Sequence, residues 1–254
     1  MKTIGFINWK GGVGKTSIST NMAYALSEGW DAKILFVDND KQGNASSWFN
    51  ADCEHTLTDI LLNNATAKEI IQKTRYANID LIAADADLLD ANFTVLKNQT
   101  KRQDNILKNA LEEVKNEYDI CIIDNPPDSN ITVLNAMEAA DDIIAVSTID
   151  RYSLNGIYQL QNEIDNYNEL LGLKIAVKGV LLNRFTSTVQ SYAAIDKLET
   201  SGFHVFDTHI REVRSTKNQL EIAINSGKSI YETVPNCAFA RDLIKFIEKL
   251  IGAL

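Results

Sequence analysis

Trp9-Lys10-Gly11-Gly12-Val13-Gly14-Lys15-Thr16-Ser17 is the stretch on which the reading of this chain turns. The apolar run Thr3–Asn8 precedes it, and a helical pattern over Lys15–Glu28 follows. A glycine-rich turn between a strand and a helix is the setting of a phosphate-binding loop. Glycines let backbone N–H groups wrap phosphate oxygens, and the helix N-terminus adds its positive dipole. Lys15 is placed to reach β- and γ-phosphates, and the Thr16 hydroxyl to ligate Mg²⁺. The strict pattern fails at one position, because Trp9 stands where its first glycine belongs. A second lysine, Lys10, opens the loop.

The alternation of strand and helix continues along the chain. Short apolar runs, read as strands, lie at Thr3–Asn8, Lys33–Asp38, Ile79–Ala83, Ile120–Asp124, Ile143–Ser147, Val177–Asn183 and His204–Phe206. Several are continuous, such as Ile34-Leu35-Phe36-Val37, as expected of strands covered on both faces. Helical patterns are read at Lys15–Glu28, Leu88–Asn116, Leu154–Leu170, Gln190–Thr200, Glu212–Asn225 and Cys237–Ile251. The pattern predicts an α/β fold: a doubly wound, mostly parallel sheet with helices on both faces. No repeat or Pro/Gly/Ser-rich linker interrupts it, so residues 1–254 are read as one domain.

Composition narrows the function. The 254 residues carry 25 Lys+Arg against 34 Asp+Glu, a net charge of −9. That excludes a wholly basic protein that coats nucleic acid; DNA contact would need a local patch or one assembled by oligomerisation. Hydrophobic content of 45% and charged content of 23% fit a globular chain. Cys53, Cys121 and Cys237 form no CxxC pair, and the three histidines show no metal-ligand spacing. The N-terminal apolar stretch is too short for a secretory leader. No run approaches the ~20 apolar residues of a spanning helix.

Two acidic strand ends complete the candidate site. Asp38 and Asp40 are two residues apart after the second run, placed to point the same way. Asp124 ends the run Ile120-Cys121-Ile122-Ile123. Mg²⁺ takes few carboxylates and keeps its waters, so Asp124 is expected to hold a magnesium-bound water.

Lys10-Gly11-Gly12-Val13-Gly14-Lys15-Thr16-Ser17 resembles the deviant Walker A motif of the ParA/MinD ATPases, within the P-loop NTPase fold. Val37–Asn44 resembles the family's VDxDPQGN segment, with Lys41 in place of proline. Ile122–Pro127 resembles its IIDTPP form, with Asn125 in place of threonine. The resemblance implies an ATPase that uses ATP and Mg²⁺, with the loop Lys10–Ser17 on the phosphates. It implies an ATP-dependent homodimer in which Lys10 reaches the partner's phosphates and, with Lys15 and Asp40, serves catalysis. Asp40 would orient the attacking water, and Thr16, Asp38 and Asp124 would serve the metal. Asn183, at a strand end, matches an asparagine with which the family often reads adenine. The cysteines lack the placed pair that the nitrogenase iron-protein branch needs for its cluster.

The distal half is less specific. Ser153-Leu154-Asn155-Gly156 resembles the family's SLxG helix start, with Ser153 read first as a helix cap. His209–Ser215 resembles the segment where partitioning ATPases carry DNA-contacting arginines. Arg211, Arg214 and Lys217 are three residues apart, a spacing for one helical face, though a solvated charged face has the same spacing. The first apolar run starts at residue 3, leaving no room for the operator-reading helix-turn-helix of long partitioning ATPases. The resemblance therefore implies a short partitioning ATPase, cytoplasmic and nucleoid-associated. It would bind nonspecific double-stranded DNA and work with a ParB-like adaptor protein. The alternative is a MinD-like regulator held to membrane by an amphipathic C-terminal helix. The stripe Leu243, Ile244, Phe246, Ile247, Leu250 and Ile251 would serve that role, or would pack on the sheet. Packing is the favoured reading, because Asp242 and Glu248 dilute the basic face.

Overall fold

The computed structural model describes residues 1–50, 54–97, 102–213, 222–223 and 226–252. β1 (Lys2–Ile7) runs into the glycine loop, α1 (Lys15–Gly29) leaves it, and β2 (Ile34–Asp38) follows. Three short helices, α2 (Asn44–Trp48), α3 (Leu57–Leu61) and α4 (Ala67–Ile70), lead to β3 (Gln72–Lys73) and β4 (Ile79–Ile82). Next come α5 (Leu88–Lys97), α6 (Ile106–Glu112), β5 (Ile120–Asp124), α7 (Ile131–Ala139) and β6 (Asp142–Ser147). The distal half adds α8 (Arg151–Leu171), β7 (Val177–Leu182), α9 (Val189–Thr200), α10 (Ile230–Thr233) and α11 (Ala238–Ile251).

Among the described residues the strands form one sheet, in the order β3-β4-β2-β5-β1-β6-β7. Every pair is parallel except β3 with β4. Successive residues of a strand face opposite sides. Ile34 and Phe36 therefore join one core with Ile18, Met22 and Leu26 of α1, while Leu35 and Val37 join another with α3, α5 and α6. A third core gathers Ile7, Ala145, Val180 and Leu182 under α7 and α8. Helices cover both faces, which explains the uninterrupted apolar runs. Cys121 is one of these buried core residues on β5.

The departures from the expected elements have local causes. The pattern Leu88–Asn116 is two helices, with α6 starting after the polar stretch that ends at Asn105. His204–Phe206 is not a strand; Val205 makes only an isolated bridge to Val180. β3 was not expected, because two residues carry no period. Nor was α7, whose start is signalled by Asn130, whose side chain accepts from Thr132 and Val133 N–H. Most of the expected helix Glu212–Asn225 lies outside the described residues; Glu212 and Val213 are not helical.

α11 settles the reading of the C-terminal stripe. Phe239, Leu243, Phe246, Ile247 and Leu250 are buried in the core shared with α1. The apolar face is covered by protein and is not presented outward. No helix among the described residues is long and apolar enough to cross a membrane. Phe246→Ala is expected to destabilise the protein by about 3–5 kcal/mol in urea unfolding, the cost of an aromatic-sized cavity. A change within a few tenths of a kcal/mol would show that α11 is not part of the core.

Candidate nucleotide and metal site

β2, β5 and β1 are adjacent, so their C-terminal ends deliver three chain segments to one place. Asp38 and Asp124 face each other in register. The glycine loop closes over them from β1. Gly14 precedes α1 with φ 98°, a left-handed conformation that suits glycine. A Cβ at Gly14 would lie 2.2 Å from Asn183 Nδ2, so the loop could not pass a larger residue there.

The cleft of about 580 Å³ above these ends is lined by Gly11, Gly12, Gly14, Lys15, Thr16 and Ser17 of the loop. Asp40, Lys41, Gln42 and Asn44 form one wall, and Asn125–Asp128 with Arg184 another. A larger polar groove between α4 and α6 contains none of the loop; chemistry rather than size identifies the site. Lys15 is only 6% exposed, and its Nζ donates to the Asn8 carbonyl at 3.2 Å. Burial pushes its ammonium below the usual value, while Asp124 and Asp40 oppose that shift. A buried cation at the start of a fifteen-residue helix suits a phosphate.

The candidate metal-binding groups converge opposite Lys15. Thr16 Oγ1 donates to Asp124 Oδ2 at 2.6 Å. Asp124 Oδ1 is buried without a hydrogen-bond partner. Asp38 Oδ2 accepts from the N–H and hydroxyl of Ser46, and its Oδ1 from Asp40 N–H. Burial raises Asp38 to about 6. Burial, then the negative charge of Asp38, raises Asp124 to about 7. An orphaned buried oxygen, beside a hydroxyl with free lone pairs, fits a hard cation. Among the described residues no group of three His, Cys, Asp or Glu side chains is placed to enclose a metal. The donor set thus suits Mg²⁺, which keeps most of its waters, and does not suit a caged transition metal.

Of the other expected residues, Val13 is buried and Ser17 lines the cleft. Asp40 lines it too, its Oδ1 accepting from Gln42 N–H. Lys10 is exposed and does not line its own cleft; its ammonium has no partner among the described residues. Asn183 Nδ2 donates to the Val13 carbonyl at 2.7 Å, and Oδ1 accepts from Arg184 N–H. One N–H and one lone pair remain, the two that pairing with adenine uses. The residue that lines the cleft is Arg184, held at φ 52°, a conformation uncommon for a non-glycine residue. Asn125 takes the place of the family's threonine as a brace: Nδ2 donates to Phe6 O, and Oδ1 accepts from Asn39 Nδ2. Ser46, Asn39 and Arg184 carry no spacing signal, since their partners come from other strands or loops.

Comparison with known proteins agrees with this geometry. An AAA-domain family model matches residues 1–177. The sporulation initiation inhibitor protein Soj of Bacillus subtilis is 37% identical over 184 residues, 71% of this chain and 72% of Soj. The chain belongs to the ParA/MinD family of P-loop ATPases, and to its partitioning type. The chromosome partitioning protein ParA of Caulobacter vibrioides is 29% identical over 260 residues, covering 99% of this chain and 94% of that protein. The septum site-determining protein MinD of Pyrococcus horikoshii, solved with Mg-ADP, superposes with a TM-score of 0.77. That match covers 98% and 95% of the two chains at 22% identity, a likeness of fold. The chain is an ATPase that uses ATP and Mg²⁺.

The helical face expected of Arg211, Arg214 and Lys217 needs correction at Arg211. Arg211 lies in an extended bridge with Phe185, not on a helix. Its guanidinium pairs with Asp242 of α11 through Nε at 2.8 Å and a terminal nitrogen at 2.7 Å, and its N–H donates to the same carboxylate. Asp242 is 4% exposed, so this arginine neutralises a buried charge while half its side chain remains accessible. Arg214 and Lys217 lie outside the described residues.

The raised carboxylates make the metal-free protein sensitive to pH. Between about pH 4 and pH 7 the unfolded carboxylates are ionised while the folded ones retain protons, so stability falls as pH rises. Asp124→Asn is expected to raise the melting temperature of the nucleotide-free protein at neutral pH and to flatten that decline. It is also expected to abolish the added stability conferred by Mg-ADP. An unchanged pH profile, or a full response to Mg-ADP, would remove Asp124 from the metal site.

Proposed function

We propose that the chain is a cytoplasmic, nucleoid-associated ATPase that partitions DNA through an ATP-closed homodimer. The observation that carries the dimer is the contrast between the two loop lysines. Lys15 is buried against its own cleft, whereas Lys10 is exposed, without an ion-pair partner among the described residues, and outside it. A cation so placed is available to a second nucleotide site facing the first. A cation meeting the transferring phosphoryl group stabilises the charge that develops there.

Within each cleft the loop amides and Lys15 hold the phosphates. Thr16 and Asp124 would hold Mg²⁺, whose charge would offset that of the phosphates, and Asp38, fixed by Ser46, would support that site. Asp40, half-buried on the cleft wall, orients the attacking water. Asn183 and Arg184 serve the base. The dimer doubles any basic strip that Arg214 and Lys217 provide, which reconciles DNA binding with a net charge of −9. Hydrolysis reopens the dimer and releases DNA, so nucleotide state is the switch. A ParB-like adaptor on the cargo stimulates that step and supplies the sequence-specific reading. The membrane alternative is disfavoured by the burial of the α11 apolar face.

The test compares binding to random-sequence duplex DNA and to anionic liposomes, with ATP or ADP plus Mg²⁺ at fixed salt. DNA binding with ATP alone, lost in Lys15→Ala and weakened by added salt, is the expected result. ATP-dependent liposome binding without DNA binding would replace this reading with the membrane one.

A further inference from the structure

The buried residue Asn8 touches both loop lysines. Its carbonyl accepts from Lys15 Nζ, while its side-chain Oδ1 accepts from the backbone N–H of Lys10 at 2.8 Å. Its Nδ2 donates to the Val146 carbonyl of β6 at 2.7 Å, so the amide cannot turn without losing that bond. Asn8 is fully buried. Behind it stands Gly156, in the second turn of α8. A Cβ on Gly156 would lie 2.6 Å from Asn8 Oδ1 and 3.7 Å from Lys10 Cβ. The first distance is one that real Cβ atoms do not show, so any side chain at 156 must displace the amide, the helix or the loop.

The position of α8 is itself fixed. Its N-cap Asp150 accepts from the N–H groups of Tyr152 and Ser153, and Ile157, Leu160 and Ile164 are buried on the sheet. The helix has little freedom to retreat, and the movable parts are the Asn8 side chain and the start of the loop. α1 and Lys15 follow from the other end of the loop and are held by the core and by the Asn8 backbone, which a side-chain change leaves in place.

We infer that Asn8 and Gly156 are positioning residues that fix the direction in which Lys10 leaves the fold, and so serve the active site of the partner copy. The inference rests on the reading of Lys10 as the residue that crosses the dimer. It assigns a purpose to the glycine of the Ser153-Leu154-Asn155-Gly156 helix start. It also separates two tasks within one loop: Lys15 serves the nucleotide of its own chain, and the Asn8–Gly156 contact aims the lysine that does not.

A latch for a trans-acting lysine must fail in trans, which a merely structural defect does not. Chains carrying Lys10→Ala are mixed with chains carrying Asp40→Ala before ATP is added. The working site in the mixed dimer belongs to the Lys10→Ala chain, and its lysine comes from the Asp40→Ala chain. Gly156→Ala added to the Asp40→Ala chain is expected to lower the complemented ATPase rate about ten- to a hundredfold, the range for a catalytic group misplaced by about an ångström. Gly156→Ala added instead to the Lys10→Ala chain is expected to leave that rate within about twofold. Asn8→Ala is expected to show the same asymmetry and to leave Mg-ADP binding by the single chain unchanged.

The outcomes separate the two readings. If the parent mixture shows no complementation, the trans role of Lys10 fails and takes the latch with it. If the parent mixture complements but Gly156→Ala and Asn8→Ala harm whichever chain holds the working site, the latch alone is overturned. Equal loss in both arrangements also overturns it, since that is the mark of general damage to the fold.

Discussion

Two carboxylates buried at adjacent strand ends, facing a buried lysine, are the constraint around which this molecule is arranged. Asp38 and Asp124 sit in register on β2 and β5, away from water, and Lys15 approaches from the loop. Isolated buried charges are costly. Here the cost is met in part by hydrogen bonds from Ser46 and Thr16 and by the opposed charge of Lys15 beside Asp124, and what remains raises the proton affinity of both carboxylates. The balance is incomplete in the protein alone, because Asp124 Oδ1 has no partner. A divalent cation with an anionic phosphate chain complements both sides of the site at once. On the proposed reading, affinity for Mg-nucleotide is prepared by groups that the protein alone satisfies poorly.

The rest of the fold holds that arrangement in place. A parallel sheet brings strand ends from distant parts of the chain to one edge, and helices on both faces keep the strands dry. Asn39 and Asn125 tie the ends of β2 and β5 to each other, and Asn125 ties both to β1. α11 has the stripe of a membrane-seeking helix, yet it lies against α1 and completes the core behind the loop. Its Asp242 pairs with Arg211, so that residue, in the extended stretch after α9, is anchored to the same core. Arg211→Ala would leave Asp242 buried without its cation. Any loss of DNA binding in that variant would carry a folding component.

Most of the candidate site was legible in the sequence because its signals are local. Lys15, Thr16 and Asp124 belong to short patterns in which strand, turn and helix follow within a few residues. The continuous apolar runs announced a covered parallel sheet for the same reason. What stayed hidden depends on chain segments that meet only after folding. Gly156 and Asn8 are far apart in sequence, and nothing in either segment points to the other. Ser46 reads as an ordinary helical serine until Asp38 is seen beneath it. Local spacing also misled: Arg211, Arg214 and Lys217 are spaced for a helix, but Arg211 is extended beside Phe185 because its partner is Asp242 on α11. The pattern Leu88–Asn116 kept an apolar repeat on both sides of a polar break, and the break decided the structure.

The central claim is that one chain's cleft holds Mg-ATP and is completed by Lys10 of a second copy. The most direct measurement is a crystal structure of the Asp40→Ala variant with ATP and Mg²⁺. The account predicts two chains face to face, the metal beside Thr16 and Asp124, and each Lys10 on its partner's phosphates. A Lys10 ammonium folded onto the phosphates of its own chain, or a metal held away from Asp124, would contradict it.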